Sequence, residues 1–81
     1  MIKVLFFAQV RELVGVDSLE LPCEYKTVND LRNALIAKGK RWSLALEDGK
    51  LLSAVNQSFV QGEHVLCDGD EIAFFPPVTG G

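Results

Sequence analysis

The sequence predicts an α+β fold: one mixed sheet of about five strands, with a main helix packed on one of its faces. Three observations predict it. Apolar residues alternate with a period of two at both ends of the chain, in Ile2–Phe6 and again in Ile72–Phe74. One long run, Thr27 to Lys38, carries its apolar residues at helical spacing instead. Turn residues punctuate the second half, so short strands follow one another there. With 81 residues, 48% of them hydrophobic, the chain has material for one compact core.

Taken in order, Ile2 to Ala8 reads as the first strand. Ile2, Val4 and Phe6 point one way; Lys3, Leu5 and Phe7 point the other. Val10, Leu13 and Val14 fall at helical spacing, and Gly15 offers a stop, which predicts a short helix. Asp17 to Leu21 alternates before Pro22 and predicts a second strand, at an edge. Thr27 caps the main helix, with Asp30 completing a variant of the capping box. Val28, Leu31, Ala34 and Leu35 form its apolar stripe, and Gly39 closes it. Trp42, Leu44 and Leu46 are expected in a helical turn that covers the sheet. Asp48-Gly49, Asn56-Gln57-Ser58 and Asp68-Gly69-Asp70 are turns. Between and after them come strands at Leu51–Val55, from Phe59-Val60, and at Glu71–Phe75.

The totals exclude several functions. A net charge of −3, with basic residues scattered or in the short Lys38–Arg41 group, argues against a nucleic-acid surface. Such a chain suits a basic protein partner better. Met1 to Ala8 is too short for a membrane span and lacks the pattern of a cleaved leader. Cys23 and Cys67 have neither disulfide-framework nor metal spacing. Both lie in apolar stretches and read as buried structural thiols in a reducing, cytoplasmic setting. His64 is the single histidine, expected in a solvated loop or edge strand rather than in catalysis. No nucleophile-and-base spacing, phosphate loop or metal set occurs.

Strand parity marks a different kind of site. Phe7 shares its face with Lys3, and Phe75 shares its face with Glu71. Charged residues are rarely fully buried, so both faces are expected to be open. If the two strands are neighbours, Phe7 and Phe75 form an exposed aromatic patch, the usual mark of a partner site. Phe59 follows a turn and fits this patch or the core equally well.

The patch lies at the root of the chain's last stretch, Pro76-Pro77-Val78-Thr79-Gly80-Gly81. The prolines end the strand and hold the next residues extended. Six extended residues reach about 20 Å. The last two have no side chains, so the tail suits a narrow pocket in which the Gly81 carboxylate is presented. A frayed terminus has the same composition. Residues 1–75 are thus expected to form the domain and residues 76–81 an extended tail. A carboxylate becomes a good acyl donor once ATP converts it to an adenylate. Sulfur or a lysine amine could then take the acyl group.

Val4-Leu5-Phe6-Phe7-Ala8, Leu46-Glu47-Asp48-Gly49, Ala54-Val55-Asn56-Gln57 and the run Asp68 to Gly81 carry a resemblance across essentially the whole chain. The sequence resembles the MoaD family, small sulfur-carrier subunits of molybdopterin synthase among the ubiquitin-like sulfur carriers. The resemblance implies a β-grasp fold and a part in molybdenum cofactor biosynthesis, without catalysis by the chain alone. It implies that a MoeB-like, ATP-dependent enzyme adenylates Gly81, so AMP and then sulfur are carried there transiently, with no tightly bound cofactor. The thiocarboxylate at Gly81 then enters a MoaE-like large subunit and gives its sulfur to cyclic pyranopterin monophosphate. The family's assembly is a heterotetramer of two large and two small subunits. Positions matching Phe7, Phe59 and Phe75 contact partners, and no metal, nucleic acid or membrane is involved. The tail and the chain length favour this acceptor over thiamine or tRNA thiolation. Two readings of other classes stay open beside it: a modifier conjugated to lysines through Gly81, and a plain binding module with a frayed tail.

Overall fold

In the computed structural model, residues 1–47 and 49–77 are described. Among them are five strands, β1 (Ile2–Phe6), β2 (Ser18–Leu21), β3 (Leu52–Val55), β4 (Ser58–Val60) and β5 (Glu71–Phe75). The helices are α1 (Ala8–Val14), α2 (Val28–Ile36) and α3 (Lys40–Leu46). The strands form one sheet in the order β2-β1-β5-β3-β4. The pair β1–β5 is parallel and the other neighbours are antiparallel, so the sheet is mixed as the sequence predicts.

The core lies between the sheet and its helices. From the sheet come Ile2, Val4, Phe6, Val55, Ile72 and Phe74. From the helices come Val10, Val14, Val28, Leu31, Leu35, Ala45 and Leu46. Phe6, Phe74 and Leu31 are fully enclosed, and each contributes about 1.5–3 kcal/mol by leaving water. Trp42 meets the edge of Phe6 at 5.5 Å between centroids and roofs this core from α3.

The caps explain where the helices start and stop. Thr27 Oγ1 accepts from the Asp30 N–H at 3.2 Å, and Asp30 Oδ2 accepts from the Thr27 N–H at 3.3 Å, which completes the capping box. Gly15 ends α1 at φ 83°, and its N–H donates to the Arg11 carbonyl. The β3–β4 hairpin turns through Asn56 and Gln57, both at positive φ (50° and 71°). That is the twist a two-residue hairpin requires.

Four expectations need correction. Ala8 is not strand but the first residue of α1, at φ 52°, because the chain must turn sharply off the sheet after Phe7. Gly39 does not end α2, which stops at Ile36; it is instead the N-cap of α3. Leu44 does not cover the sheet but is 62% exposed. Residues 40–46 are a full helix, so Trp42, Ala45 and Leu46 turn inward while Leu44 lies on the far side. Cys67 is exposed rather than buried, and Cys23 is half-buried. Leu66 takes the inward position in that segment, and the next side chain faces out.

Candidate functional site

The face of the sheet that carries no helix is built by register. Lys3, Leu5, Glu71, Ala73, Phe75, Leu52, Ala54 and Phe59 share it, because paired residues project to the same side. Phe7 lies just beyond β1 but keeps an extended backbone (φ −122°, ψ 149°), so it stays in phase with that strand. Its N–H donates to the Phe74 carbonyl at 3.3 Å.

This register brings three aromatic rings together. Phe7 and Phe75 stack with centroids 4.8 Å apart and planes 12° from parallel. Phe59, from the edge strand β4, tilts against Phe75 at 5.9 Å and 59°. Phe59 is 72% exposed and Phe7 40%, with Phe75 half-buried between them. Phe59 thus belongs to the patch and not to the core. Strand parity already places Leu5 with Lys3 and Phe7, and Ala73 with Glu71 and Phe75, on this open surface, whereas Ala54 is missing from that reading. The residues on β1 and β5 carried a parity signal, but Ala54 carries none until β3 is placed beside β5.

The tail leaves from the same corner. Pro76 and Pro77 are half-buried and line a hollow of about 450 Å³ beside Ala8, Leu13, Leu44 and Leu51. The expected tail residues Val78, Thr79, Gly80 and Gly81 lie outside the described residues.

The other end of the sheet holds a polar clasp. Asp70 accepts from the Cys67 N–H at 2.8 Å and from the Asn56 side-chain amide at 2.9 Å. Asn56 Oδ1 accepts from the Glu71 N–H at 3.0 Å. The Cys67 N–H, then the Asn56 amide, hold the Asp70 carboxyl below the usual carboxylate range. The Met1 amine donates to Asp68, which raises its pKa above the ordinary value. This clasp ties the β3–β4 turn to the start of β5. His64 is exposed, and its carbonyl accepts from the Val28 N–H, a structural place. Among the described residues no group of three or more His, Cys, Asp or Glu side chains is arranged to hold a metal, and no helix is long and apolar enough to cross a membrane.

The chain matches the ThiS family over residues 4–81. It is similar to the molybdopterin synthase sulfur carrier subunit of Escherichia coli strain K12, with 65% identity over 81 residues and the whole of both chains covered. Among solved structures, small archaeal modifier protein 1 from Methanosarcina acetivorans aligns with a TM-score of 0.80 at 28% identity. That alignment covers 99% of this chain and 95% of the other. A chain of the complex of subunits 1 and 2 of the molybdopterin-converting factor from Helicobacter pylori 26695 aligns at TM-score 0.69 and 25% identity, covering 99% and 97%. These likenesses agree with the observed strand order, and the fold is the ubiquitin-like β-grasp. By sequence along nearly its full length, and by fold, this chain belongs to the ThiS family.

Proposed function

We propose that this chain is the sulfur-carrier subunit of a molybdopterin synthase, working through the C-terminal carboxylate of Gly81. The observation that carries this reading is the 65% identity, end to end, with the Escherichia coli subunit of that name. The aromatic face supports it. A carrier must be gripped by its domain while its tail is threaded, and the stacked Phe7–Phe75 pair stands where the tail begins. A partner that completes the burial of these rings gains about 25 cal/mol for each Å² of apolar surface it covers. Residues 76–81 act as an arm: Pro76 and Pro77 restrict its start, and its extended reach is about 20 Å.

The chemistry proceeds in three steps. A carboxylate oxygen of Gly81 attacks the α-phosphorus of ATP, and pyrophosphate leaves. A sulfide equivalent then adds to the acyl carbon of the glycyl adenylate, and AMP leaves, so Gly81 ends as a thiocarboxylate. In the large subunit the thiocarboxylate sulfur attacks a side-chain carbon of the pterin precursor, and the oxygen substituent on that carbon leaves as the C–S bond forms. Water cleaves the acyl–sulfur bond and regenerates the carboxylate. Two such deliveries supply the two sulfurs of the dithiolene. The chain supplies sulfur and position; the large subunit, MoaE-like, supplies the catalytic side chains. A MoeB-like enzyme performs the activation, and two carriers serve two large subunits. The likeness to a chain of the Helicobacter pylori subunit complex supports a large-subunit partner. Two free thiols, one of them exposed, suit the reducing cytoplasm.

Intact mass measures the central claim. The chain is incubated with its activating enzyme, ATP and a sulfur source. A mass gain equal to exchanging one oxygen for sulfur, located at Gly81, is expected. An unchanged mass with no adenylate formed defeats the reading. A protein-modifier role has one support, the fold likeness to the archaeal modifier. It would appear in the same mixture as lysine-linked conjugates of other proteins.

A further inference from the structure

The open face is not uniformly apolar. Across its middle runs one row of paired residues, Leu5–Ala73–Ala54–Phe59, spanning four strands. Its ends are large and its centre is two alanines, so the row sags in the middle. Phe75 stands on one side of the dip and Glu71 on the other, each two residues from Ala73 on β5. The result is a hollow of about 360 Å³ with an alanine floor, aromatic walls and one carboxylate on its rim.

Glu71 is half-buried on this rim, and its backbone N–H and carbonyl are occupied by Asn56. Its carboxylate has no ion pair among the described residues. Lys3 is its register partner on β1, yet forms no ion pair with it. A carboxylate beside an apolar hollow loses hydration when a partner covers it, and that loss is offset only by a cation. The aromatic faces of Phe59 and Phe75 favour the same kind of group. An arginine or lysine meets both demands, because its aliphatic stem can lie along the alanine floor while its charged head reaches the rim.

We infer that the hollow over Ala54 and Ala73 takes a cationic side chain, arginine or lysine, from the protein that docks on this face, with Glu71 as its counter-charge. This rests on the carrier reading above, in which the face is gripped by the large subunit. It adds the chemistry that subunit must present: an apolar surface opposite Phe7 and Phe75, and a basic side chain opposite Glu71. The aromatic rings supply contact area, while the single charge sets the register in which the domain docks.

Calorimetric titration of the full-length chain against the purified large subunit, at several salt concentrations, tests this. Glu71→Gln is expected to weaken binding by about tenfold and to flatten its salt dependence. Glu71→Lys is expected to weaken it by at least about a hundredfold. Glu24→Gln, which removes an exposed carboxylate in the segment between β2 and α2, is expected not to weaken it. Thermal melts of each variant separate binding loss from unfolding. The inference is overturned if both Glu71 variants bind within about twofold of the unaltered chain while Phe75→Ala loses binding; the face would then be the grip without a cation in its hollow. If the unaltered chain does not bind the large subunit, the partner reading falls, and this inference falls with it.

Discussion

Phe7 and Phe75 lie near opposite ends of the chain, yet their rings stack at 4.8 Å, nearly parallel and partly open to solvent. An aromatic pair contributes about 0.5–1.5 kcal/mol beyond its buried area, which is a modest share of a domain's stability. Its partial exposure, 40% at Phe7, leaves apolar surface that a docking partner can cover. Phe7→Ala is therefore expected to cost no more than about 2 kcal/mol of folding stability and at least tenfold, or about 1.4 kcal/mol, of affinity for the large subunit. The neighbouring Phe6 is the contrast. It is 2% exposed, and Phe6→Ala is expected to cost about 3–5 kcal/mol and to cripple the fold itself. Paired thermal melts and binding titrations read both numbers. Equal stability losses from the two variants would place Phe7 in the core.

How much of this was legible in the sequence follows from which residues carry a label. Lys3 and Glu71 label one face of their strands as open, so the orientation of Phe7 and Phe75 could be read from parity alone. Thr27 and Asp30 announced the cap of α2. Strand order has no such label: nothing local tells β1 that its neighbour is β5, or β4 that it sits at the edge with Phe59 beside Phe75. The hollow over Ala54 and Ala73 arises only when four strands are laid side by side. Leu44 and Cys67 depart from expectation for one shared physical reason. Apolar composition does not set direction: inward placement depends on helical phase in α3 and on Leu66 taking the inward place before Cys67.

Gln57 is strained for a reason that can be removed. It sits at φ 71° in the hairpin turn, where a side chain costs about 1 kcal/mol and glycine costs nothing steric. Asn56, at φ 50°, tolerates the same region better and also binds Asp70 and Glu71. Gln57→Gly is expected to stabilise the fold by about 0.5–1 kcal/mol and to raise Tm by a few degrees. Gln57→Val is expected to lower it. A drop in Tm for the glycine variant would show that the Gln57 side chain contributes contacts that outweigh the strain.

Asp70 makes part of the stability depend on acid. The Cys67 N–H and the Asn56 amide favour its charged form in the folded state, so its folded pKa lies below its unfolded value. The stabilisation is therefore complete above the unfolded value and disappears as pH falls through the folded one. Tm of the unaltered chain is expected to decline as pH drops below about 4. Asp70→Asn should be less stable near neutrality, with a difference that shrinks as the pH falls. A difference that stays constant down to the acid limit would mean that Asp70 acts through shape and not through charge. The Met1 amine, raised by Asp68, has the opposite sign: its share is present below its unfolded value and is lost as pH rises through the folded one.

The last residue tests reach and chemistry separately. Removing Gly81 leaves a chain that still ends in a glycine carboxylate, so the reacting group is chemically preserved. What changes is its position, drawn back by at most about 3.3 Å, the largest span of one residue. Reaction in a closed site is far more sensitive to such a displacement than binding is, and an error of about 1 Å already costs about a hundredfold. The deletion is therefore expected to bind the large subunit through Phe7 and Phe75 with little change, and to keep its Tm. Sulfur delivery should fall by at least about a hundredfold. Replacing Gly81 with alanine restores length but adds a methyl group beside the reacting carbon, and it should recover activity only where the receiving pocket is wide enough for that methyl. Full activity in the shortened chain would mean that the arm has slack, and that the grip on the aromatic face, not the length of residues 76–81, sets where the sulfur arrives.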